Sequence, residues 1–347
     1  MQKRLFLHIG MPKCATTTLQ AYLADHVAEL AQRGVHYDFE GHVSARGNAT
    51  SLANAILQRD GGHVQSLLDL FLRRDADIIL SSEDLFGVAR GDTMRSVADR
   101  MRQAGFDITV ICYFRRQDIW IESDYKQHVK SQIDWRKGIG ALIEHRMEKE
   151  VLNYNWTLAN WAKAVGRENI VAIPLRPGQA PDYPVRSFLD LVGCSDFLSE
   201  GTVAPMPQNV SPPTGLIEPA RFLKKAMLDR GMSPVFVKRQ VAQFFEQVPK
   251  IMDIPPRRFL MPIAKRRKLL QRFENVNAAF EKNFFDGKEA FDKVLQKDPA
   301  SESPLGAEAA EILAAYHLEF QPGLRLRAGI RRRVSGLWHA TRALSRS

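Results

Sequence analysis

The chain has 347 residues, of which 45% are hydrophobic, and 49 lysines and arginines stand against 39 aspartates and glutamates. This length suits one large α/β domain or two smaller ones, with ample apolar content for a core. The three cysteines, Cys14, Cys112 and Cys194, are far apart and form no CxxC pair. That spacing argues against structural zinc and against a disulfide scaffold, and it fits a reducing compartment.

The net charge of +10 points to anionic partners, either nucleic acid, a membrane surface or acidic substrates. No apolar stretch reaches the length of a membrane span, and the first strand pattern follows directly on residues 1–3, so we predict a cytoplasmic protein. From Pro322 to Ser347 there are seven arginines and no acid. Apolar residues of this segment share one helical face, which fits a peripheral membrane helix or a solvated basic terminus: Ile330, Val334, Leu337 and Trp338.

Strand and helix patterns alternate along the first half of the chain. The predicted strands are Arg4–Ile9, Val35–Tyr37, Ile78–Leu80, Ile108–Phe114 and Ile170–Ile173. The predicted helices are Thr17–Gln32, Ser51–Leu57, Val64–Leu72, Met94–Ala104, Ile119–Ser131, Tyr154–Val165 and Arg186–Val192. Such alternation predicts an α/β fold with a mostly parallel sheet covered by helices. Beyond a proline-rich stretch that ends near Pro213, the pattern is helical, with basic patches at Arg257–Arg258 and Lys265–Lys268.

The most informative segment begins where the first apolar run ends, at Gly10. A short turn carries Lys13 into Thr16–Thr18, where a helical pattern starts. Free N–H groups at a helix N-terminus, the helix dipole, a lysine charge and hydroxyl donors together bind anions. We therefore predict a phosphate or sulfate site here. It is not a Walker A loop, because Lys13 follows Gly10 by only three residues and Ala15 stands where a second glycine would be expected.

A second anion motif follows the apolar run Ile108–Phe114, which is typical of a buried parallel strand. Arg115 ends that strand, and Ser123 comes eight residues later on the next predicted helix. A strand-end arginine is common and does not by itself indicate a phosphate site; as a phosphate site, the pair would provide two hydrogen bonds from Arg115 and a third from Ser123. Arg116 is better explained as a structural ion-pair partner.

The order Pro-Lys-x-[Gly/Ala]-Thr-Thr-x-Leu at residues 12–19 resembles the 5′-phosphosulfate loop of sulfotransferases that use 3′-phosphoadenosine 5′-phosphosulfate (PAPS). The Arg115–Ser123 spacing resembles their 3′-phosphate site. The resemblance implies transfer of a sulfuryl group from PAPS to a hydroxyl of a carbohydrate or glycolipid, with 3′-phosphoadenosine 5′-phosphate (PAP) as product and no required metal. It implies these nucleotide-binding residues: Lys13, Cys14, Ala15, Thr16, Thr17, Thr18, Arg115, Ser123 and Ser211.

Looser similarities extend over residues 4–290, including segments 79–83, 168–176 and 275–285. We therefore predict a sulfotransferase-like α/β domain over 1–290 and a helical basic extension over 291–347. The Arg-Lys-Gly segment that cytosolic sulfotransferases use for the 3′-phosphate is missing. In its place, Asn209 and Ser211 resemble an Asn-x-Ser loop of the family.

The general base that takes the acceptor's proton has several candidates. Glu83 follows the strand Ile78–Leu80 and should emerge at the same sheet edge as Lys13. Glu40 and His42 follow the short second strand, where related enzymes also place acid–base residues. Each also has a plainer interpretation, a salt bridge for Glu83 and a solvated loop for Glu40 and His42. His8 fits a packed strand histidine better than a catalyst.

Two other functions are compatible with parts of the sequence. A P-loop kinase or nucleotide hydrolase needs a Lys-[Ser/Thr] pair and a magnesium-holding aspartate, to which Ser82–Asp84 is the nearest approach. A basic, non-catalytic membrane- or glycan-binding protein would explain the arginine-rich segment but not the two anion motifs. Nucleic-acid binding is disfavoured, because no reader motif or aromatic–basic interleaving is present. Cys14, in the anion loop, is expected to be an exposed thiol without a partner base.

Overall fold

The computed structural model describes residues 2–39, 47–90, 93–131, 135–197, 212–254, 256–302 and 305–320. The strands are β1 (Lys3–His8), β2 (Val35–His36), β3 (Asp77–Ser81), β4 (Phe106–Arg115) and β5 (Ile170–Leu175). The first helices are α1 (Thr16–Asp25), α2 (Val27–Gln32), α3 (Thr50–Gln58), α4 (Gly61–Leu72), α5 (Thr93–Gln103), α6 (Gln117–Ser131) and α7 (Ile139–Glu148). The remaining ones are α8 (Tyr154–Val165), α9 (Tyr183–Val192), α10 (Ile217–Asp229), α11 (Pro234–Ile251), α12 (Ile263–Gln271), α13 (Glu274–Phe284) and α14 (Leu305–Phe320).

The five strands form one parallel sheet in the order β2-β3-β1-β4-β5. Parallel strands are covered on both faces, so their sequences are apolar throughout rather than alternating. Leu5 and Leu7 of β1 and Val110 of β4 are fully buried, as this rule requires. The predicted α/β class, with a parallel sheet flanked by helices, is therefore confirmed.

The strand order places a topological switch between β1 and β4. The chain leaves β1 toward β2 on one side, and it leaves β4 toward β5 on the other. The register pairs His8 with Ile111, and the N–H of Ile9 donates to the carbonyl of Ile111 at 3.0 Å. In open α/β sheets, ligands bind in the crevice beyond the carboxyl ends of two such strands. The loop with Lys13 and the strand end with Arg115 flank this crevice.

Several elements differ from the sequence prediction, most of them only at their ends. The long helix predicted over 17–32 is broken at His26, whose Nδ1 lies 2.8 Å from the Tyr22 carbonyl and whose ring stacks on the Tyr22 ring. Helix α7, Ile139–Glu148, was not predicted. Strand β4 extends beyond the predicted range at both ends, from Phe106 to Arg115.

The chain divides into two compact units. The first comprises residues up to Trp120, His145–Gln208 and Leu270–Lys293, and it contains the sheet. The second comprises Ile121–Glu144, Asn209–Leu269 and the residues from Val294 onward. This division differs from a boundary after residue 290, and the separate role predicted for residues 291–347 stays a prediction.

The second unit is helical within its described residues. Helices α10 and α11 form a hairpin that buries an apolar stripe, including Ile217 and Met227 of α10 and Val241 and Phe244 of α11. Arg266 of α12 is buried against the ring of Phe259, 3.5 Å from its centroid. Within the described part of the chain, no helix has both the length and the apolarity needed to cross a bilayer.

Candidate functional site

The loop between β1 and α1 has a strained backbone. Lys13 and Ala15 both adopt the left-handed conformation, with φ of 67° and 64°. For a residue with a Cβ this conformation costs roughly 1–2 kcal/mol. Strain of this kind persists where the surrounding structure imposes it, and it is concentrated at ligand sites. Cys14 lies between the two left-handed residues and is fully buried.

Helix α1 begins without a cap of its own. Its N-cap residue, Ala15, has no side chain that can accept a hydrogen bond, and its first turn holds no acidic residue. Within the described part of the chain, the N–H groups of Thr16, Thr17 and Thr18 make no hydrogen bond. These N–H groups and the positive end of the helix dipole are therefore available to an anion.

Gly10 lets the loop approach the helix closely. A Cβ at position 10 would overlap Cγ2 of Thr16 and lie 3.1 Å from Cε1 of His8. The requirement here is for space, since Gly10 has no positive φ. Any side chain at this position would push the strand end and the first turn of α1 apart.

Trp120 of α6 is hydrogen-bonded to the loop between β1 and α1, a contact that was not predicted from the sequence. Its indole Nε1 donates to the carbonyl of Pro12 at 2.6 Å, and the ring is almost fully buried. The guanidinium of Arg146 lies 5.9 Å from the centre of the same ring. Because Pro12 directly precedes Lys13, this bond fixes the start of the strained turn.

The expectation of an exposed Cys14 thiol is wrong. Its backbone N–H donates to the carbonyl of Met11 at 3.2 Å, and its side chain is buried. Burial raises the pKa of Cys14 to about 12, although the neighbouring Arg115 charge acts in the opposite direction. Cys14 is thus a neutral packing residue, and neither its thiol nor its N–H faces an incoming anion.

Glu83 lies next to Thr16. It begins a 3-10 helix, Glu83–Arg90, immediately beyond β3, and its Oε1 accepts a hydrogen bond from the Thr16 hydroxyl. The N–H of Ser82 donates to the carbonyl of His8 at 3.2 Å, which holds the ends of β3 and β1 together. The Thr16 hydroxyl has a single O–H, which it donates in a hydrogen bond to Glu83. The hydroxyl groups that can still donate to an anion are therefore those of Thr17 and Thr18.

Arg115 is the last residue of β4, on the other side of the switch point. The Tyr154 hydroxyl donates to its carbonyl at 2.8 Å, and its N–H contacts the Cys14 thiol. Both the Arg115 and Glu83 charges influence the pKa of Cys14, in opposite directions and less than burial does. Arg115 and Glu83 are therefore both close to the loop. Within the described residues, the half-exposed guanidinium of Arg115 has no carboxylate partner.

Arg116 is structural, as predicted. Its guanidinium binds the buried Asp118 through two bonds, from Nε at 2.7 Å and from a terminal nitrogen at 3.1 Å. A further N–H donates to the carbonyl of Asp292. Asp118 lies in the first turn of α6, so this helix has an anion of its own at its positive end.

His8 is a packed strand histidine, as expected. Its Nδ1 lies 2.8 Å from the Ser81 hydroxyl, and its ring meets those of Tyr113 and Phe188 edge to face. Burial lowers the pKa of His8 to about 3, so the ring stays neutral at physiological pH. It supports the strand end without acting as an acid or a base there.

The structure gathers most of the predicted site residues in the first unit. Lys13, Thr16–Thr18, Glu83 and Arg115 all lie at the carboxyl edge of the sheet. Ser123 is half-buried on α6, in the part of that helix that belongs to the second unit, and its role beside Arg115 stays a prediction. Glu40, His42 and Ser211 lie outside the described residues.

This arrangement can bind an anion and accept a proton. The half-exposed Lys13 ammonium makes no ion pair within the described part of the chain, and the carboxylate of Glu83 stands beside the first turn of α1. Among the described residues, no group of three or more His, Cys, Asp or Glu side chains is placed to hold a metal. The arginine-rich segment 322–347 lies outside the described residues.

The similarity of this chain to known proteins is limited. No model of a known family matches the chain. An uncharacterized protein of Archaeoglobus fulgidus is 34% identical over 62 residues, which cover 18% of this chain and 15% of that protein. A crystal structure of a sulfotransferase from Alicyclobacillus acidocaldarius matches with 16% identity and a TM-score of 0.38, over 69% of this chain and 100% of that one. Values this low leave the activity to be argued from the residues of this chain.

Proposed function

We propose that this protein is a sulfotransferase that moves a sulfuryl group from PAPS to a hydroxyl, on a carbohydrate or a glycolipid. The observation that carries the proposal is the uncapped first turn of α1, with Lys13 before it, Glu83 beside it and Arg115 across the switch point. One anion site alone would suit many nucleotides. Two cationic groups on neighbouring strand ends suit a nucleotide with phosphates at both 5′ and 3′ positions.

The chain's residues fit such a nucleotide at its 5′ end. The free N–H groups of Thr16–Thr18 and the hydroxyls of Thr17 and Thr18 supply donors, and Lys13 supplies a full charge. Arg115, free of carboxylates among the described residues, would hold the 3′-phosphate. When bound, PAPS supplies an activated sulfuryl group.

The proposed chemistry asks little covalent work of the protein. Sulfuryl transfer resembles phosphoryl transfer, in which positioning and charge stabilisation dominate. In this proposal, Lys13 stabilises negative charge that grows at the 5′ end, and Glu83 accepts the proton of the acceptor hydroxyl on its carboxylate. The Thr16 hydroxyl fixes the orientation of that carboxylate. Glu40 and His42 are the alternative bases.

The first experiment compares nucleotides without magnesium. We expect PAP to raise the melting temperature well above the values with AMP or ATP, because only PAP engages both cationic sites. Stronger protection by ATP with magnesium would instead favour a kinase or nucleotide hydrolase. Sulfation of a glycan and glycolipid panel with labelled PAPS would then identify the acceptor.

A matched pair of arginine variants tests the 3′-phosphate assignment by calorimetry. Arg115→Ala should weaken PAP binding by about 2–3 kcal/mol, the value of a lost charge-assisted hydrogen bond, while AMP binding stays nearly unchanged. Arg167 precedes β5 and so lies at the opposite sheet edge, which makes Arg167→Ala the control. Equal losses for PAP and AMP in Arg115→Ala would mean that Arg115 is structural.

A further inference from the structure

Exposed apolar side chains of the second unit are concentrated at one turn. The large apolar residues exposed among the described part of the chain are Leu57, Phe222, Met232, Val235, Phe236 and Val294. Three of these six, Met232, Val235 and Phe236, lie within residues 232–236, and Val235 is 79% exposed. Residues 230–239, which join α10 to α11, are called the hairpin tip below. Single exposed apolar residues are ordinary on a protein surface, whereas neighbouring exposed apolar residues at one turn are typical of an interaction site.

The hairpin tip is a well-defined turn. Gly231 ends α10 with φ of 75°, and the N–H groups of Gly231 and Met232 donate back to the carbonyls of Leu228 and Met227 at 3.0 and 3.2 Å. This is the Schellman pattern of a helix C-terminus. Ser233 then caps α11 by accepting from the N–H of Phe236 at 3.3 Å. Because both helix ends are capped, the exposure of Met232 and Val235 is a property of the folded turn.

The tip residues are not needed for the packing of the hairpin. Helix α11 buries its stripe at positions one and two turns apart, through Val237, Val241, Phe244 and Val248. Val235 and Phe236 lie outside this stripe. Val235 in particular is 79% exposed, so packing of the hairpin does not explain its apolar character.

The charged residues of the tip itself are all basic, and Asp229, which directly precedes it, pairs with Lys225 and Arg136. Between Arg230 and Phe245 the chain carries three basic residues and no acidic one. Lys238 and Arg239 are exposed, and within the described residues neither has a carboxylate partner. The guanidinium of Arg239 lies 5.8 Å from the ring centre of Phe236, so the cationic and apolar groups are immediate neighbours.

We propose that the hairpin tip docks the protein on an anionic lipid bilayer. Met232, Val235 and Phe236 would enter the headgroup boundary, and Arg230, Lys238 and Arg239 would meet the lipid phosphates. A soluble polyanion would satisfy the basic residues but would leave the apolar ones in water. The combination therefore favours a membrane surface. This inference is independent of the proposed sulfotransferase activity.

The direct test places an environment-sensitive fluorophore at the tip of the full chain. The native cysteines are buried, so Val235→Cys can be labelled selectively. Its emission should shift to shorter wavelength on vesicles that contain phosphatidylserine, and not on vesicles of phosphatidylcholine alone. The matched control is Val294→Cys, whose native side chain is 78% exposed in the same unit, and it should show no shift. If the label at position 235 shows no emission shift, or if the labels at positions 235 and 294 shift equally, the proposal is overturned.

Vesicle sedimentation provides a second test. Val235→Asp combined with Phe236→Asp should lower vesicle affinity by about tenfold or more, since two apolar side chains lose their burial. The control Val294→Asp should bind like the unmodified protein, and unchanged melting temperatures would show that both variants fold. The arginine-rich segment 322–347 is present in all variants, so the difference reports on the tip alone.

Two other partners of the hairpin tip, a second copy of the chain or a glycan, would give different results with the same fluorescent label. If the label at position 235 responds to protein concentration without vesicles, and the mass doubles in light scattering, the tip is a contact between two copies. If the label responds to an anionic polysaccharide and not to vesicles, the partner is a glycan. Either result would overturn the lipid proposal.

Discussion

Helices α1 and α6 begin at the same edge of the sheet, but their N-terminal turns differ in charge and capping. Helix α6 follows β4, and Asp118 in its first turn is buried against Arg116. Helix α1 follows β1, and its first turn has neither an acid nor a side-chain cap. The first turn of α6 thus carries the negative charge of Asp118, whereas the first turn of α1 carries no negatively charged residue. The open first turn of α1 is therefore not a feature of every helix that begins at this edge, although α3, which follows β2, also lacks a side-chain cap and an acid in its first turn.

The built-in anion of α6 should matter most for stability. Asp118→Ala removes the carboxylate that pairs with the buried Arg116, and breaking a buried pair in this way typically costs about 3–5 kcal/mol. Urea unfolding of the nucleotide-free protein measures this loss. The control is Asp69→Ala, which removes an exposed partner of Arg100 and should cost less than about 1 kcal/mol. Equal effects of the two variants would remove the distinction between the helices.

The open end of α1 should matter for catalysis instead. Lys13→Ala should reduce sulfuryl transfer by roughly a hundred- to a thousandfold, the usual cost of losing one positioned charge donor. Its urea midpoint should stay unchanged, because the half-exposed Lys13 makes no ion pair within the described residues. Lys163, an exposed lysine of α8, provides the control variant Lys163→Ala. Activity of Lys13→Ala within tenfold of the unmodified protein would remove Lys13 from the mechanism.

Glu83 brings a carboxylate to the first turn of α1 from another element, since it accepts a hydrogen bond from the Thr16 hydroxyl but belongs to the 3-10 helix after β3. Glu83→Gln keeps the shape but cannot accept a proton, so transfer should fall by about a hundredfold while PAP affinity stays nearly intact. Asp84→Asn, one residue further along, is the control. Retained activity in Glu83→Gln, together with its loss in Glu40→Gln or His42→Ala, would assign the base to the segment after β2.

The smallest expected effect concerns the strain at Ala15. Glycine tolerates a φ of 64° without penalty, so Ala15→Gly should stabilise the protein by about 1 kcal/mol and leave PAP affinity unchanged. The same substitution inside α1, Ala21→Gly, should destabilise by a similar amount. A loss of stability in both variants would show that the left-handed turn carries no strain at Ala15.

Much of the sheet could be predicted because its strands are continuous apolar runs. The runs of β1 and β4 identified both strands, and the carboxyl edge of a parallel sheet then placed Lys13 and Arg115 near each other. Their ends were less certain, since β4 continues through Arg115 itself. The break at His26 could not be seen, because the apolar spacing continues across it.

Contacts between distant parts of the chain were not predictable from one sequence. Thr16 and Glu83 are 67 residues apart, and Trp120 and Pro12 are 108 residues apart. The burial of Cys14 depends on two left-handed residues, neither of which is a glycine that would have signalled them. Local sequence therefore located the turn between β1 and α1, for which an anion site stays a prediction, but not the buried Cys14 side chain or the Trp120 contact.

The uncapped start of α1 also has a practical consequence for enzyme assays. Backbone N–H groups bind any compact oxyanion, so inorganic sulfate or phosphate in a buffer should compete with the nucleotide. Apparent Michaelis constants would then rise with buffer concentration, while maximal rates would not change. Purification with ammonium sulfate would leave the loop filled and would hide the thermal response to PAP. Kinetic work on this protein should therefore use buffers free of both anions.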